Sequence, residues 1–238
     1  RIIGGDRATK GMFPYITGLK ITTINLDDNN RSSYKCTGTI LADRWILTAA
    51  HCADVPPYNM ILDAITYSAG EVTLREDNMD NIVGYAIHPD YGTRMKRFED
   101  GSVMDYAVND LCLLLTSSVI KFDKFVQPVC ISSSKEIKGD CITLGFGRLG
   151  NEQGEIGNLD LYFAHLDYEV MDGYDPKTNF LRMKYRFPSK GDSGGPLVCD
   201  GWQLGVLSQR RMTATGMDGT YTIVGNFKSW IENITKID

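Results

Sequence analysis

The stretch Gly191-Asp192-Ser193-Gly194-Gly195-Pro196 constrains this chain more than any other. A serine set among glycines in a tight loop is a candidate nucleophile. The glycines let backbone N–H groups come close to a reacting carbonyl, where they can hold a developing oxyanion. A serine hydroxyl is a weak nucleophile until a base takes its proton, so the loop calls for a histidine and a carboxylate elsewhere. The chain supplies His51, in Thr48-Ala49-Ala50-His51-Cys52, and Asp110, in Asn109-Asp110-Leu111.

With these residues in the order His, Asp, Ser, and with Ile2-Ile3-Gly4-Gly5 near the start, the sequence resembles the chymotrypsin/trypsin-like serine proteases. The resemblance covers nearly the whole chain. It implies an all-β fold of two six-stranded antiparallel β-barrels with a C-terminal α-helix. A single trypsin-like domain would run over residues 1–237, with the first barrel over 1–120, the second over 129–225 and the helix over 226–237. The resemblance also implies roles. Ser193 attacks a peptide carbonyl, His51 takes its proton and returns it to the leaving amine, and Asp110 orients His51. The backbone N–H groups of Gly191 and Ser193 form the oxyanion hole, and Ser208 supports the buried aspartate. No metal or other cofactor is implied.

The same likeness pairs Cys36 with Cys52, beside His51, and Cys141 with Cys199, after the nucleophile. Such bridges imply an oxidising, secretory route and an extracellular location, with a gut lumen as one implied setting. Cys112 and Cys130 stay open: they could pair together, or Cys130 could bond to a pro-segment as in relatives. Arg1 before Ile2 resembles an activation junction. A cut after Arg1 would free the amine of Ile2 to pair with Asp192, because a buried carboxylate needs such a partner. With Arg1 attached the chain reads as zymogen-like, unless Arg1 is an incidental leading residue.

The substrate side departs from the family. Where trypsin-like relatives carry a pocket-base aspartate stands Phe187, six residues before Ser193, followed by Pro188-Ser189-Lys190. A cationic substrate side chain would meet a ring and no carboxylate there. The cysteine usual at Ser189 and its partner near Thr213 are missing, as is a second bridge around Asp172 and Met183; lost staples free the loops that shape a pocket. After Ser208 the chain reads Gln209-Arg210-Arg211-Met212, where relatives have a tryptophan platform and glycines that receive an extended substrate strand. Arg210 and Met212 are expected to fill that space, with Tyr185 and Phe187 closing from the opposite side.

Elsewhere the chain reads as short apolar runs between polar breakers. They lie at Tyr15 to Ile21, Gly38 to Leu41, Trp45 to Leu47, Ile61 to Tyr67, Ile82 to Ile87, Leu111 to Leu115, Cys141 to Phe146, Leu159 to Val170, Pro196 to Val198, Trp202 to Leu207 and Tyr221 to Val224. Phe227, Trp230, Ile231 and Ile234 then repeat at helical spacing, giving an amphipathic helix expected to dock on the second barrel. The inter-barrel link falls at Lys121 to Pro128. Gly92 to Val108 reads as a long loop of mixed charge, either overhanging the cleft as in the family or a solvated insertion. His88 and His165 read as structural. A net charge of −5 carries no footprint for nucleic acid or an anionic membrane surface. The basic clusters Arg94-Met95-Lys96-Arg97 and Arg210-Arg211 read as solvated loops. No apolar run is long enough to cross a bilayer and no signal peptide is visible. Asn30-Arg31-Ser32 and Asn233-Ile234-Thr235 are sequons.

Gly38-Thr39-Ile40-Leu41, Trp45 to Cys52 and Val224-Gly225-Asn226-Phe227 are most similar to mite trypsin-like proteases of the group 3 allergen kind, and more narrowly to the inactivated protease paralogues of the scabies mite. That likeness implies a secreted pseudoprotease acting through a protein partner, with host complement as one implied target. The favoured reading is such a protease homologue, its triad present and its pocket rebuilt. The alternatives are an active endopeptidase of non-tryptic specificity, or the uncleaved zymogen of either.

Overall fold

The structure is a computed structural model describing residues 2–55, 59–97, 101–148, 159–171, 177–213 and 216–237; the side chains of 179–180, 212–213 and 216–217 lie outside that description. Arg1 and Asp172 also lie outside it. The strands are β1 (Asp6–Arg7), β2 (Ile16–Asn25), β3 (Arg31–Ala42), β4 (Trp45–Thr48), β5 (Met60–Ala69), β6 (Asp80–Ile87), β7 (Gly92–Arg97), β8 (Val103–Val108), β9 (Cys112–Thr116), β10 (Cys141–Gly145), β11 (Tyr162–His165), β12 (Tyr168–Met171), β13 (Thr178–Met183), β14 (Pro196–Cys199), β15 (Trp202–Thr213) and β16 (Gly216–Ile223). One helix, α1 (Lys228–Thr235), ends the fold.

The first half closes into a barrel in the order β2-β3-β4-β9-β6-β5. Its inward positions carry Leu19, Ile21, Ile40, Ile46, Leu47 and Leu113, all buried in one cluster. The second half is a curled eight-stranded antiparallel sheet in the order β1-β11-β10-β14-β15-β16-β13-β12. It wraps a separate core that includes Leu181, Met183, Leu197, Tyr221 and Ile223. Its outer strand β1 comes from the start of the chain, with Asp6 opposite Phe163 and Arg7 opposite Tyr162. The segment that leads the sequence is thus built into the half that carries the nucleophile.

Three local expectations are corrected. The helix docks on the first barrel, not the second. Phe227 and Ile231 are buried in the first-barrel cluster, with Trp230 and Ile234 packed against it. His88 makes edge and tilted contacts with Phe227 and Trp230, both at 5.0 Å between ring centroids. Helical spacing fixes which face is apolar but not which neighbour covers it. Residues 92–97 and 103–108 are no loop: β7 and β8 pair antiparallel from Gly92 opposite Val108 to Arg97 opposite Val103. The basic clusters accordingly sit on β7 and β15 rather than in solvated loops, and Arg211 is ion-paired to the buried Asp218.

The seam between the halves is polar and specific. Thr37 donates its backbone N–H to the Ser193 carbonyl at 2.8 Å. Thr39 Oγ1 donates to Gln203 Oε1 at 2.8 Å in full burial. Buried hydroxyl and amide groups need partners, so these bonds fix how the two halves meet.

Candidate active site

His51 sits in a short 3-10 turn, Ala50–Cys52, directly after β4, and Cys52 is bridged to Cys36 on β3. The turn and the bridge leave the imidazole little freedom. Asp110 follows the buried Asn109, whose φ of 52° bends the chain sharply ahead of β9. Its carboxylate is 0 % exposed. It accepts the His51 backbone N–H at 2.9 Å and lies 2.7 Å from His51 Nδ1. Ser208 Oγ donates to the same carboxylate at 2.5 Å.

Burial alone would push Asp110 upward. The neighbouring imidazole and the donors from His51 and Ser208 outweigh it, and the carboxyl is held below its usual value. Burial lowers His51, but the charge and hydrogen bond of Asp110 overcome this and raise it. The assigned tautomer follows: the proton on Nδ1 faces Asp110, leaving Nε2 to act as a base.

The nucleophile loop is set by exclusion. Gly191 and Gly194 have φ of 96° and 78°, in the left-handed region. Thr37 Oγ1 donates to the Gly191 carbonyl at 3.0 Å and accepts the Phe146 N–H at 3.2 Å. Asp192, 0 % exposed, accepts N–H bonds from Ser189 and Gly147, both at 2.7 Å. Burial raises its pKa against those donors. Ile2 is buried, and the next residue, Ile3, exchanges backbone bonds with Phe187 at 2.8 and 3.2 Å. Ile2 and Asp192 are therefore placed in the half that holds the nucleophile.

His51 and Ser193 together line two hollows. One, of about 360 Å³, is bounded by Ser189, Lys190, Ser208, Gln209, Arg210 and by Met104 and Asp105 of β8. Gln209 and Arg210 are thus brought beside His51 and Ser193. Tyr185 and Phe187 are not. Tyr185 is 76 % exposed, and the Phe187 ring packs on the second core while its backbone bridges Ile3. The main-chain bridge fixes where that ring can go. The Met212 side chain lies outside the described residues, although its backbone pairs with Met217.

Sequence reasoning missed what bounds the hollow. Ala107 N–H donates to Gln209 Oε1 at 3.1 Å, and Arg211 bonds Ser102. Met104, Tyr106 and Val108 of the β7–β8 hairpin cluster with Met171 of the second half. The hairpin is thereby tied to β15. Thr37 was missed too; its place beside Cys36, bridged to the histidine turn, is the one signal that could have found it. The two disulfides are Cys36–Cys52 and Cys141–Cys199, while Cys112 is buried and free and Cys130 is exposed and free. Those two cysteines are not paired: Cys112 sits buried on β9, whereas Cys130 is on the surface. Cys36, His51 and Cys52 lie close enough to suggest a metal site, but both sulfurs are committed to the disulfide.

The trypsin family profile matches residues 2–231, and this chain belongs to that family. It is also similar to ovochymase-2 of Mus musculus, 26% identical over 259 aligned residues that take in 99% of this chain and 37% of that relative. The chain therefore spans little more than a third of that relative's length. These matches do not carry the narrower likeness to mite proteins.

One consequence of the geometry is a pH profile. A base must be neutral to accept the Ser193 proton, so a raised His51 moves the acid limb of reactivity upward. The rate at which a fluorophosphonate labels Ser193 should climb with pH and level off only above about 6.5, the ordinary imidazole value. Labelling rates read by gel fluorescence across that range check this. A midpoint at or below the ordinary value would mean that Asp110 does not stabilise the imidazolium.

Proposed function

We propose that this chain is a trypsin-fold serine protease homologue whose His51–Asp110–Ser193 relay is chemically competent, with Gly191 and Ser193 N–H groups as the oxyanion hole, but whose substrate cleft is strapped. On this reading it turns over ordinary extended peptides poorly or not at all and works by binding protein. The observation that carries it is the bond from Ala107 to Gln209 together with Arg211 to Ser102. An extended substrate would lie along β15 beyond Ser208 and needs both space and main-chain partners there. The strap occupies that approach. The hollow at Ser193, about 360 Å³, falls near the lower end of ordinary ligand pockets and admits a small reagent. Binding along the chain is what brings the carbonyl to the nucleophile, so a competent relay without it yields little turnover.

The disulfides fit secretion, and no described helix is long and apolar enough to cross a membrane. A cut after Arg1 that frees the Ile2 amine to pair with Asp192 is the activation step this reading includes. The implied complement partner stays with the mite likeness and gains no support from the site itself. The second reading, an active endopeptidase of non-tryptic specificity, is favoured by the complete hydrogen bonding of Asp110.

The test uses protein beginning at Ile2, a fluorophosphonate probe and a broad peptide library. Ser193 should label, and the library should survive. The double variant Gln209→Ala, Ser102→Ala removes both strap contacts while leaving Arg211 paired with Asp218, and should gain peptide cleavage by about tenfold or more, as when a lid is opened. Efficient library cleavage by the unaltered protein, lost in Ser193→Ala, would establish the second reading instead.

A further inference from the structure

The second hollow shared by His51 and Ser193, about 430 Å³, has no described residue of β15 in its lining. Five basic residues line it: Lys20 and Lys35 from the first barrel, Arg75 just before the 3-10 turn at Glu76–Asn78, and Arg148 and Lys190 from the second half. Among its described lining residues the one acid is Glu76, which is ion-paired to Lys20. The chain as a whole carries a net charge of −5, so this concentration of positive charge runs against the composition.

The cations are held together by the fold. Arg148 donates its backbone N–H to the Lys190 carbonyl at 2.8 Å, which sets both residues beside the nucleophile loop. Lys35 precedes the bridged Cys36, and its Cβ lies 3.6 Å from where a Cβ on Gly191 would stand. Burial and the nearby Arg148 depress the Lys35 ammonium. Like charges gathered in a cleft raise its potential and select an anion. Apolar side chains of Tyr34, Leu74, Met79 and Leu159 share the walls. A basin with apolar walls against the reacting serine suits a polypeptide. A sulfated polysaccharide would call for a longer, open basic stripe.

We infer that this basin beside Ser193 binds an acidic peptide segment, its carboxylates facing Arg75 and Lys190. This rests on the reading of Ser193 and β15 given above, since that reading makes this basin the unstrapped approach to the site. Acidic segments of a partner protein, held but not cut, are its natural occupants.

Fluorescence anisotropy on Ser193→Ala protein tests this without turnover. The probe is a fluorescein-labelled peptide of alternating glutamate and leucine; its twin carries glutamine for glutamate. The acidic peptide should bind at least ~10-fold more tightly at low ionic strength, with the advantage shrinking as salt screens it. Arg75→Glu and Lys190→Glu should each remove most of that advantage, whereas Arg75→Lys should keep it. Arg75 is exposed, so its substitutions leave folding intact as a control on Lys190→Glu. Equal binding of the twins would overturn the inference, as would acidic binding indifferent to both charge reversals. So would displacement of the peptide by a heparin hexasaccharide at lower concentration than by unlabelled acidic peptide. Any of these failures leaves the strap reading to stand on labelling and cleavage.

Discussion

Asp110→Asn is expected to slow fluorophosphonate capture at Ser193 by about 1,000- to 10,000-fold, the loss that a wrong imidazole tautomer produces in triads of this kind. Three donors converge on the Asp110 carboxylate: the His51 backbone N–H at 2.9 Å, His51 Nδ1 at 2.7 Å and Ser208 Oγ at 2.5 Å. A carboxylate accepts at both oxygens, but an amide accepts at one and donates at the other. If the amide NH₂ faces His51 Nδ1, that nitrogen must become the acceptor. The imidazole proton then moves to Nε2, toward Ser193, and the base is gone. The stability cost should be much smaller. One buried donor loses its acceptor, worth about 1–3 kcal/mol, which lowers Tm by roughly 2–12 °C in a chain of this size. Labelling rate and thermal melt on one protein sample separate the two effects. Labelling within tenfold of the unaltered protein would mean that Asp110 does not set the tautomer.

That aspartate was legible because chemistry dictates its type. A serine among glycines needs a base, and the base needs an orienting carboxylate, so His51, Asp110 and Ser193 could be read together. The strands of the first barrel were legible for a different reason. Residues 16–19 of β2 and 36–41 of β3 are buried without a break, and burial on both faces writes short continuous apolar runs into the sequence. The β7–β8 hairpin has no such signal. Both faces of much of it meet solvent, and Arg94, Lys96, Arg97 and Asp105 occupy strand positions. Its pairing comes from backbone bonds and from the contacts at Ala107 and Ser102, which no periodicity announces. The extension of β15 was hidden likewise. Gln209-Arg210-Arg211 looks like surface, yet Arg211 and Arg182 both reach the carboxylate of Asp218, which is 1 % exposed. Charge pairing, not an apolar run, holds that hairpin. The basic basin was invisible for the plainest reason: its residues are scattered from Lys20 to Lys190 and meet only when the halves close.

Where the halves close, Gly194 is the tightest point, and Gly194→Ala is expected to be the most damaging small substitution. A Cβ there would stand 2.1 Å from Thr48 Oγ1, 2.4 Å from the Thr37 carbonyl oxygen and 3.0 Å from the Ala49 N. Two of these three are backbone atoms, which cannot swing aside. The hydroxyl is no freer, because Thr48 Oγ1 donates to the Thr37 carbonyl at 2.9 Å. Gly194 itself donates to the Leu207 carbonyl at 2.8 Å, so the loop cannot retreat without breaking that bond. Overpacking of this kind costs about 1–3 kcal/mol, and an alanine at a φ of 78° adds roughly 1–2 kcal/mol. Together they should lower Tm by roughly 4–20 °C. Labelling should fall much further than stability, because Thr48 ends the strand before His51 while Gly194 follows Ser193. Pushing them apart separates base from nucleophile, and about 1 Å of misplacement can cost ~100-fold. Gly201→Ala isolates the backbone contribution: φ there is 84°, and a Cβ meets nothing within 4 Å. It should lose roughly 1–2 kcal/mol and leave labelling unchanged. Equal labelling by the two alanine variants would show that contact between the halves does not set the spacing of His51 and Ser193.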